Sequence, residues 1–228
     1  MEILSGDTPR RIGIAALAGV GVGLAILHVS PAPLLRATTG AQMRYARTNF
    51  LSEFARTDYA PIITTCFLLL ALGALCAAVT LRHLRREAAL LTVAGFALAL
   101  LAVLPTDLAD LTTDAGTCQS PVRIEPCTIT GRIHNPLSTF VFAPIVLTAL
   151  SLCVRSRGEP RFRGVARCAV VCGILAACGL VASSLYLQFM GWHGRAWTGL
   201  MQRSLVCPTL LWMVFLLAAA KTSPLRQN

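Results

Sequence analysis

The sequence predicts an all-α integral membrane bundle of six transmembrane helices with both termini in the cytoplasm. Two observations lead there. Six long apolar runs lie near residues 12–29, 62–81, 88–104, 137–154, 168–187 and 205–220, each long enough, or nearly so, to cross a hydrocarbon core of about 30 Å as a helix. Lipid offers the backbone no hydrogen bonds, so only internally bonded helices or closed barrels survive in it, and a continuous apolar run is a helix. The second observation is the uneven placing of arginine. The turn 82–87 holds three arginines and the connection 155–167 holds five, whereas 105–136 holds two. Positive charge collects on the cytoplasmic side, which puts the two dense connections inside and 30–60, 105–136 and 189–204 outside.

Composition agrees. With 228 residues, 55% of them hydrophobic and 13% charged, the spans and their connections use up the chain as one domain, 1–228, with no soluble module. The net charge of +10 sits at span ends, without the basic helix or aromatic-basic module of a nucleic-acid binder, so nucleic acid is excluded as a partner.

Taken in order, the first run follows Arg10 and Arg11 and continues for about 18 residues without an A-x-A site, which reads as a retained span rather than a cleaved leader. Ala15, Gly19 and Gly23 recur every four residues, the small-residue stripe that lets helices approach closely. Pro31 and Pro33 end the span. In the 36–59 stretch Met43, Ala46, Phe50 and Phe54 share one helical face, so a helix lying on the outer surface or capping the bundle is expected. Arg36, Arg44, Arg47 and Arg56 run against the outward placement of this stretch, diluted by its length and offset in part by Glu53 and Asp58. In the 105–136 connection Cys118 and Cys127 are the pair of cysteines in a polar loop, and a disulfide between them is expected outside the cell. Cys66, Cys76, Cys153, Cys168, Cys172, Cys178 and Cys207 lie in or beside spans and read as small packing residues. Tyr186, Trp192 and Trp197 read as an interfacial aromatic belt.

Chemistry-bearing side chains gather on the outward side. Asn49, Ser52, Glu53 and Asp58 precede the second span, Asp107, Asp110 and Asp114 follow the third, Arg132, His134 and Asn135 precede the fourth, and Gln202 and Arg203 precede the sixth. Span ends tolerate charge and an outer loop is polar anyway, so Asp58, Asp110, Asp114 and Glu125 read as interfacial polarity. Glu53, Asp107, His134 and Arg203 lie within a turn or two of a span, where an ionisable group faces a cavity or a partner. A carboxyl raised by burial beside His134 could serve acid–base catalysis; a carboxylate facing Arg203 could equally be an ion pair fastening two helices. No HExxH or HxxxH occurs, and His28 and His83 complete no ligand set, so neither metal nor cofactor is expected. Ser52 and Ser138 lack a G-x-S-x-G elbow.

At these residues the sequence resembles the bacterial membrane-protein family known as domain of unknown function 998. The resemblance rests on Leu51-Ser52-Glu53-Phe54-Ala55, on Leu104-Pro105-Thr106-Asp107, on a histidine entering the fourth span at His134, and on Gly199-Leu200-Met201-Gln202-Arg203, in that order from about Asn49 to Ala220. The connection between Asp107 and His134, with its cysteine pair, is longer than is usual in that family. The resemblance implies a multi-span bundle in a bacterial-type plasma membrane and singles out Ser52, Glu53, Asp107, His134, Gln202 and Arg203, without supplying a reaction.

Three functions are compatible with these features. The leading one is a protein that handles a lipid or amphiphile in an outward polar pocket, with Asn49, Ser52, Gln202 and Arg203 as binding residues and Arg203 gripping an anionic head group. The second is an intramembrane enzyme, a lipid hydrolase or an acid-triggered isoprenoid cyclase or isomerase, with Glu53 or Asp107 as acid, His134 as base or orienter and Arg203 as electrostatic stabiliser. The third is a structural partner of another membrane protein, docking through the Gly19 and Gly23 face. Membrane lipids are the expected partners, with a lipid or isoprenoid ligand.

Overall fold

Among the described residues five helices are long and apolar enough to cross a membrane. In the computed structural model of the chain the described residues are 7–29, 51–106, 129–158, 163–168, 170–172, 174, 178 and 198–219. They form α1 (Asp7–Val29), a short 3-10 helix (Leu51–Arg56), α2 (Ala60–Thr80), α3 (Arg85–Val103), α4 (Ile129–Arg155) and α5 (Thr198–Ala219), with 163–168 also helical. No strand ladder forms among the described residues.

Close contacts fix how the helices run. A methyl group on Gly13 of α1 would lie 2.8 Å from Cys76 Cβ of α2 and 2.8 Å from Leu217 Cδ1 of α5, while one on Gly19 would meet Leu69 and one on Gly23 would meet Cys66. Rising numbers in α1 therefore meet falling numbers in α2, and the two helices are antiparallel. Gly95 of α3 packs in the same way on Leu75 and the Ala71 carbonyl. Arg10 Nε donates to the Leu217 carbonyl at 2.9 Å, satisfying one of the orphan acceptors at the end of α5 and setting that end beside the start of α1. The glycine stripe of α1 is thus filled from within the chain by α2, which corrects its reading as a docking face for another protein. Large side chains such as Val22, Phe96, Phe140 and Phe215 stay exposed on the outer faces, as expected where lipid rather than water is the solvent.

The core divides into two clusters. Leu17, Ala74, Leu91, Leu98, Leu152, Trp212 and Leu216 build the larger; Val20, Leu27, Leu51, Phe54, Ile63 and Cys66 build the smaller, under the 3-10 helix.

The bundle has two polar ends. At one, Glu87 in the first turn of α3 is fully buried, and its Oε1 accepts from Arg155 Nε at 2.7 Å and Ser151 Oγ at 2.6 Å on α4. At the other, the end of α3 meets the start of α4, where His134 bonds the Leu104 carbonyl. The sequence reading placed Glu87 in a cytoplasmic turn; the helix begins three residues earlier than the apolar run and takes the carboxylate inside it.

Other boundaries also move. α4 starts eight residues before the expected fourth span and α5 seven before the expected sixth, so Arg132, His134, Gln202 and Arg203 are helical residues rather than loop residues. An apolar run reports where lipid touches the chain, and a helix continues past it. Pro136 and Pro144 lie inside α4 and Pro208 inside α5; each removes one backbone donor, a loss tolerated in membrane helices, and the Thr148 hydroxyl back-bonds to the Pro144 carbonyl at 2.8 Å. The face expected from Met43 to Phe54 is described from residue 51 onward, where it is a buried 3-10 helix capping the bundle. Residues 43, 46 and 50, Tyr186, Trp192, Trp197, and the Cys118–Cys127 pair lie outside the described residues. Cys66, Cys76 and Cys172 are buried thiols, while Cys178 and Cys207 are exposed.

Candidate functional site

Residues 51–57 are the keystone of this end. The Leu51 N–H donates to Gln202 Oε1 at 2.6 Å, tying the 3-10 helix to α5. Phe54 is 0% exposed and anchors the turn in the smaller core, while the Thr57 hydroxyl donates back to the Phe54 carbonyl at 2.8 Å. Arg56 reaches the other way: its Nε donates to the Thr106 carbonyl at 2.9 Å and its Nη2 to Thr130 Oγ1 at 3.5 Å. One short helix thereby links the end of α3, the start of α4 and the start of α5.

Four candidate residues are buried where hydrocarbon-facing helices would otherwise admit no polar atom. Glu53 is 1% exposed, and Ser52, His134 and Arg203 are also buried. Glu53 and Arg203 lie within electrostatic reach of each other, and Arg203 also acts on His28 near the end of α1. His134 Nδ1 is 2.7 Å from the Leu104 carbonyl. A carbonyl can only accept, so Nδ1 carries the proton and the ring is held in one orientation.

Beside this group lies a cavity of about 70 Å³. Its polar lining among the described residues is Ser52, His134, Ser138, Gln202 and Thr209; the rest of the wall is apolar, including Leu24, Phe67, Leu101, Phe142, Val206 and Met213. The two charged residues sit beside the cavity rather than on its wall. Glu53 follows Ser52 and Arg203 follows Gln202, and consecutive residues turn by about 120° in a 3-10 helix and about 100° in an α-helix. The structure therefore brings Ser52, His134 and Gln202 to the cavity lining, with Glu53 and Arg203 beside it and within electrostatic reach of each other. Asn49 and Asp107 lie outside the described residues. Among the described residues no three His, Cys, Asp or Glu side chains gather as a metal site.

Sequence reasoning overlooked Arg56, read only as a loop charge, and Thr106, whose carbonyl receives it. The signal was present: Arg56 is the arginine nearest the second span on the side where arginines should be few.

A bundle of long apolar helices with a buried polar group at one end defines an all-helical membrane-embedded protein. The family model described as "Protein of unknown function (DUF998)" matches residues 32–219, and the chain belongs to that family. No curated protein and no solved structure matches the chain.

Proposed function

We propose that the protein is a six-span plasma-membrane protein of bacterial type that binds a lipid or other amphiphile in this cavity. The carrying observation is the cavity's two-part lining: an apolar wall that suits a hydrocarbon chain, and at one end Ser52, Gln202 and His134, which suit a head group. An apolar cavity of this kind among lipid-facing helices excludes water and admits a chain from the bilayer.

Chain direction supports the sixth span. α4 finishes beside Glu87 at one end of the bundle, and α5 starts beside Leu51 at the other. A further crossing of the chain between them, by the apolar run 168–187, accounts for that reversal. Arginine supports the orientation: Arg10, Arg11, Arg82, Arg85, Arg86 and Arg155 fall at the Glu87 end, which becomes the cytoplasmic one. The cavity then belongs to the outer leaflet.

The test is mass spectrometry of lipids retained after purification in mild detergent. Wild-type protein should carry a near-stoichiometric amphiphile that Val206→Trp, which fills the cavity, loses while keeping its oligomeric state and melting temperature. The same lipid complement in both proteins would overturn the binding reading. The burial of Glu53 and His134 favours a second reading, an intramembrane enzyme using Glu53 or Asp107 as acid, His134 as base and Arg203 as stabiliser. Turnover of the retained amphiphile, abolished by Glu53→Gln, Asp107→Asn or His134→Gln without loss of folding, would establish it.

A further inference from the structure

The polar end of the cavity carries more chemical information than its size. Gln202 is its fixed point. The Leu51 N–H needs an acceptor, so the atom 2.6 Å away is the amide oxygen of Gln202, and the part of that side chain left for a ligand is its NH2, which only donates. Ser52, 7% exposed, brings a hydroxyl to the same wall. No charged side chain lines the cavity among the described residues. Glu53 and Arg203 lie beside it and act on each other.

These facts discriminate between head groups. An anion entering this cavity would give up its water for a wall without a cation, which is costly. A cation would face a wall without a carboxylate. A neutral oxygen with two lone pairs can accept from both the Gln202 N–H and the Ser52 O–H while its chain follows Leu24, Val206 and Met213. We infer that the ligand, on the amphiphile reading above, is a single-chain lipid with an uncharged accepting oxygen, such as an ester or ketone carbonyl, rather than a fatty acid or a phosphate-headed lipid. On this reading Arg203, which is not on the cavity wall, does not grip the head group.

The experiment uses the full chain in phosphatidylcholine nanodiscs and two photoreactive probes with the same chain and diazirine position: a hexadecanoic acid methyl ester and a hexadecyl sulfate, which stays ionised. Mass spectrometry maps the labelled residues. The ester should label the cavity residues of α5 at least tenfold more than the sulfate, with competition by unlabelled ester. Gln202→Glu keeps the acceptor for the Leu51 N–H and removes the NH2, so ester labelling should fall about tenfold, the worth of one strong hydrogen bond. Ser52→Ala should lower it about threefold and decides the matter if Gln202→Glu does not fold. Equal or stronger sulfate labelling, blocked by Val206→Trp, would overturn the neutral head group and leave the amphiphile cavity standing. Labelling by neither probe above the Val206→Trp background would overturn the cavity reading itself. Ester labelling unchanged in both polar variants would overturn the assigned contacts.

Discussion

Arg56 is a charge placed by a hydrogen bond. Its Nε donates to the Thr106 carbonyl just beyond the end of α3. The guanidinium offers Nε and Nη2 from one rigid plane, which lysine does not. Arg56→Leu should lower stability by about 1–2 kcal/mol, the usual worth of a hydrogen bond from a charged donor at a half-buried site, and Arg56→Lys should recover less than half of it. Thermal melting in detergent measures both; full recovery by lysine would assign Arg56 a charge role instead. At this scale the sequence was partly legible. Glu53, His134 and Arg203 stood out because an ionisable residue within a turn or two of an apolar run must be solvated somehow. Which neighbour lines the cavity and which hides beside it was illegible, since Ser52 and Glu53, or Gln202 and Arg203, differ only by one helical step.

Helix against helix, the bundle is held by close approach at glycine and by the ion pair of Glu87 with Arg155. A methyl on Gly13 would meet both Cys76 Cβ and Leu217 within 2.8 Å, whereas one on Gly21 would meet nothing within 4 Å. Gly13→Ala should therefore destabilise by about 1–3 kcal/mol, the usual cost of overpacking, and Gly21→Ala should be neutral or stabilise by up to about 1 kcal/mol through helix propensity. Equal melting temperatures for the two variants would remove the close packing of α1 from the account. The pair of Glu87 and Arg155 works differently. Glu87 is fully buried while Arg155 is partly exposed, and Glu87 Oε2 has no hydrogen-bond partner. Arg155→Ala strands a buried carboxylate, so it should cost more than replacing both residues by leucine. Partial screening by solvent holds the single-variant loss to about 2 kcal/mol. A double variant less stable than Arg155→Ala would show that the pair contributes net stability. The apolar runs revealed that these helices exist and roughly where lipid covers them. They did not reveal that α4 and α5 extend two turns toward the site, because helix length beyond the hydrocarbon is set by contacts between helices and not by hydropathy.

For the whole molecule, direction across the membrane follows from charge and from chain parity, and each predicts a measurement. Arg85 and Gly158 flank the ends of α3 and α4 joined by Glu87 and Arg155, so reporters fused at either position should read as cytoplasmic. Cys118 and Cys127 belong to the connection leaving the opposite end, where Leu104 receives His134. An oxidising outer compartment would keep that pair as a disulfide, and the remaining described thiols lie in helices. A membrane-impermeant thiol reagent on intact cells should therefore label the 105–136 connection only after reduction, and Cys118→Ser should convert Cys127 into a thiol labelled without reductant. Immediate labelling of the wild type would break the disulfide and keep the topology. Labelling confined to permeabilised cells, together with external reporters at Arg85 and Gly158, would invert the bundle. The cavity would then open toward the inner leaflet, and its amphiphile would have to be drawn from cytoplasmic lipid. The wall of Ser52 and Gln202 is unchanged by that inversion, so the preference for an uncharged head group stands or falls independently of which leaflet supplies it.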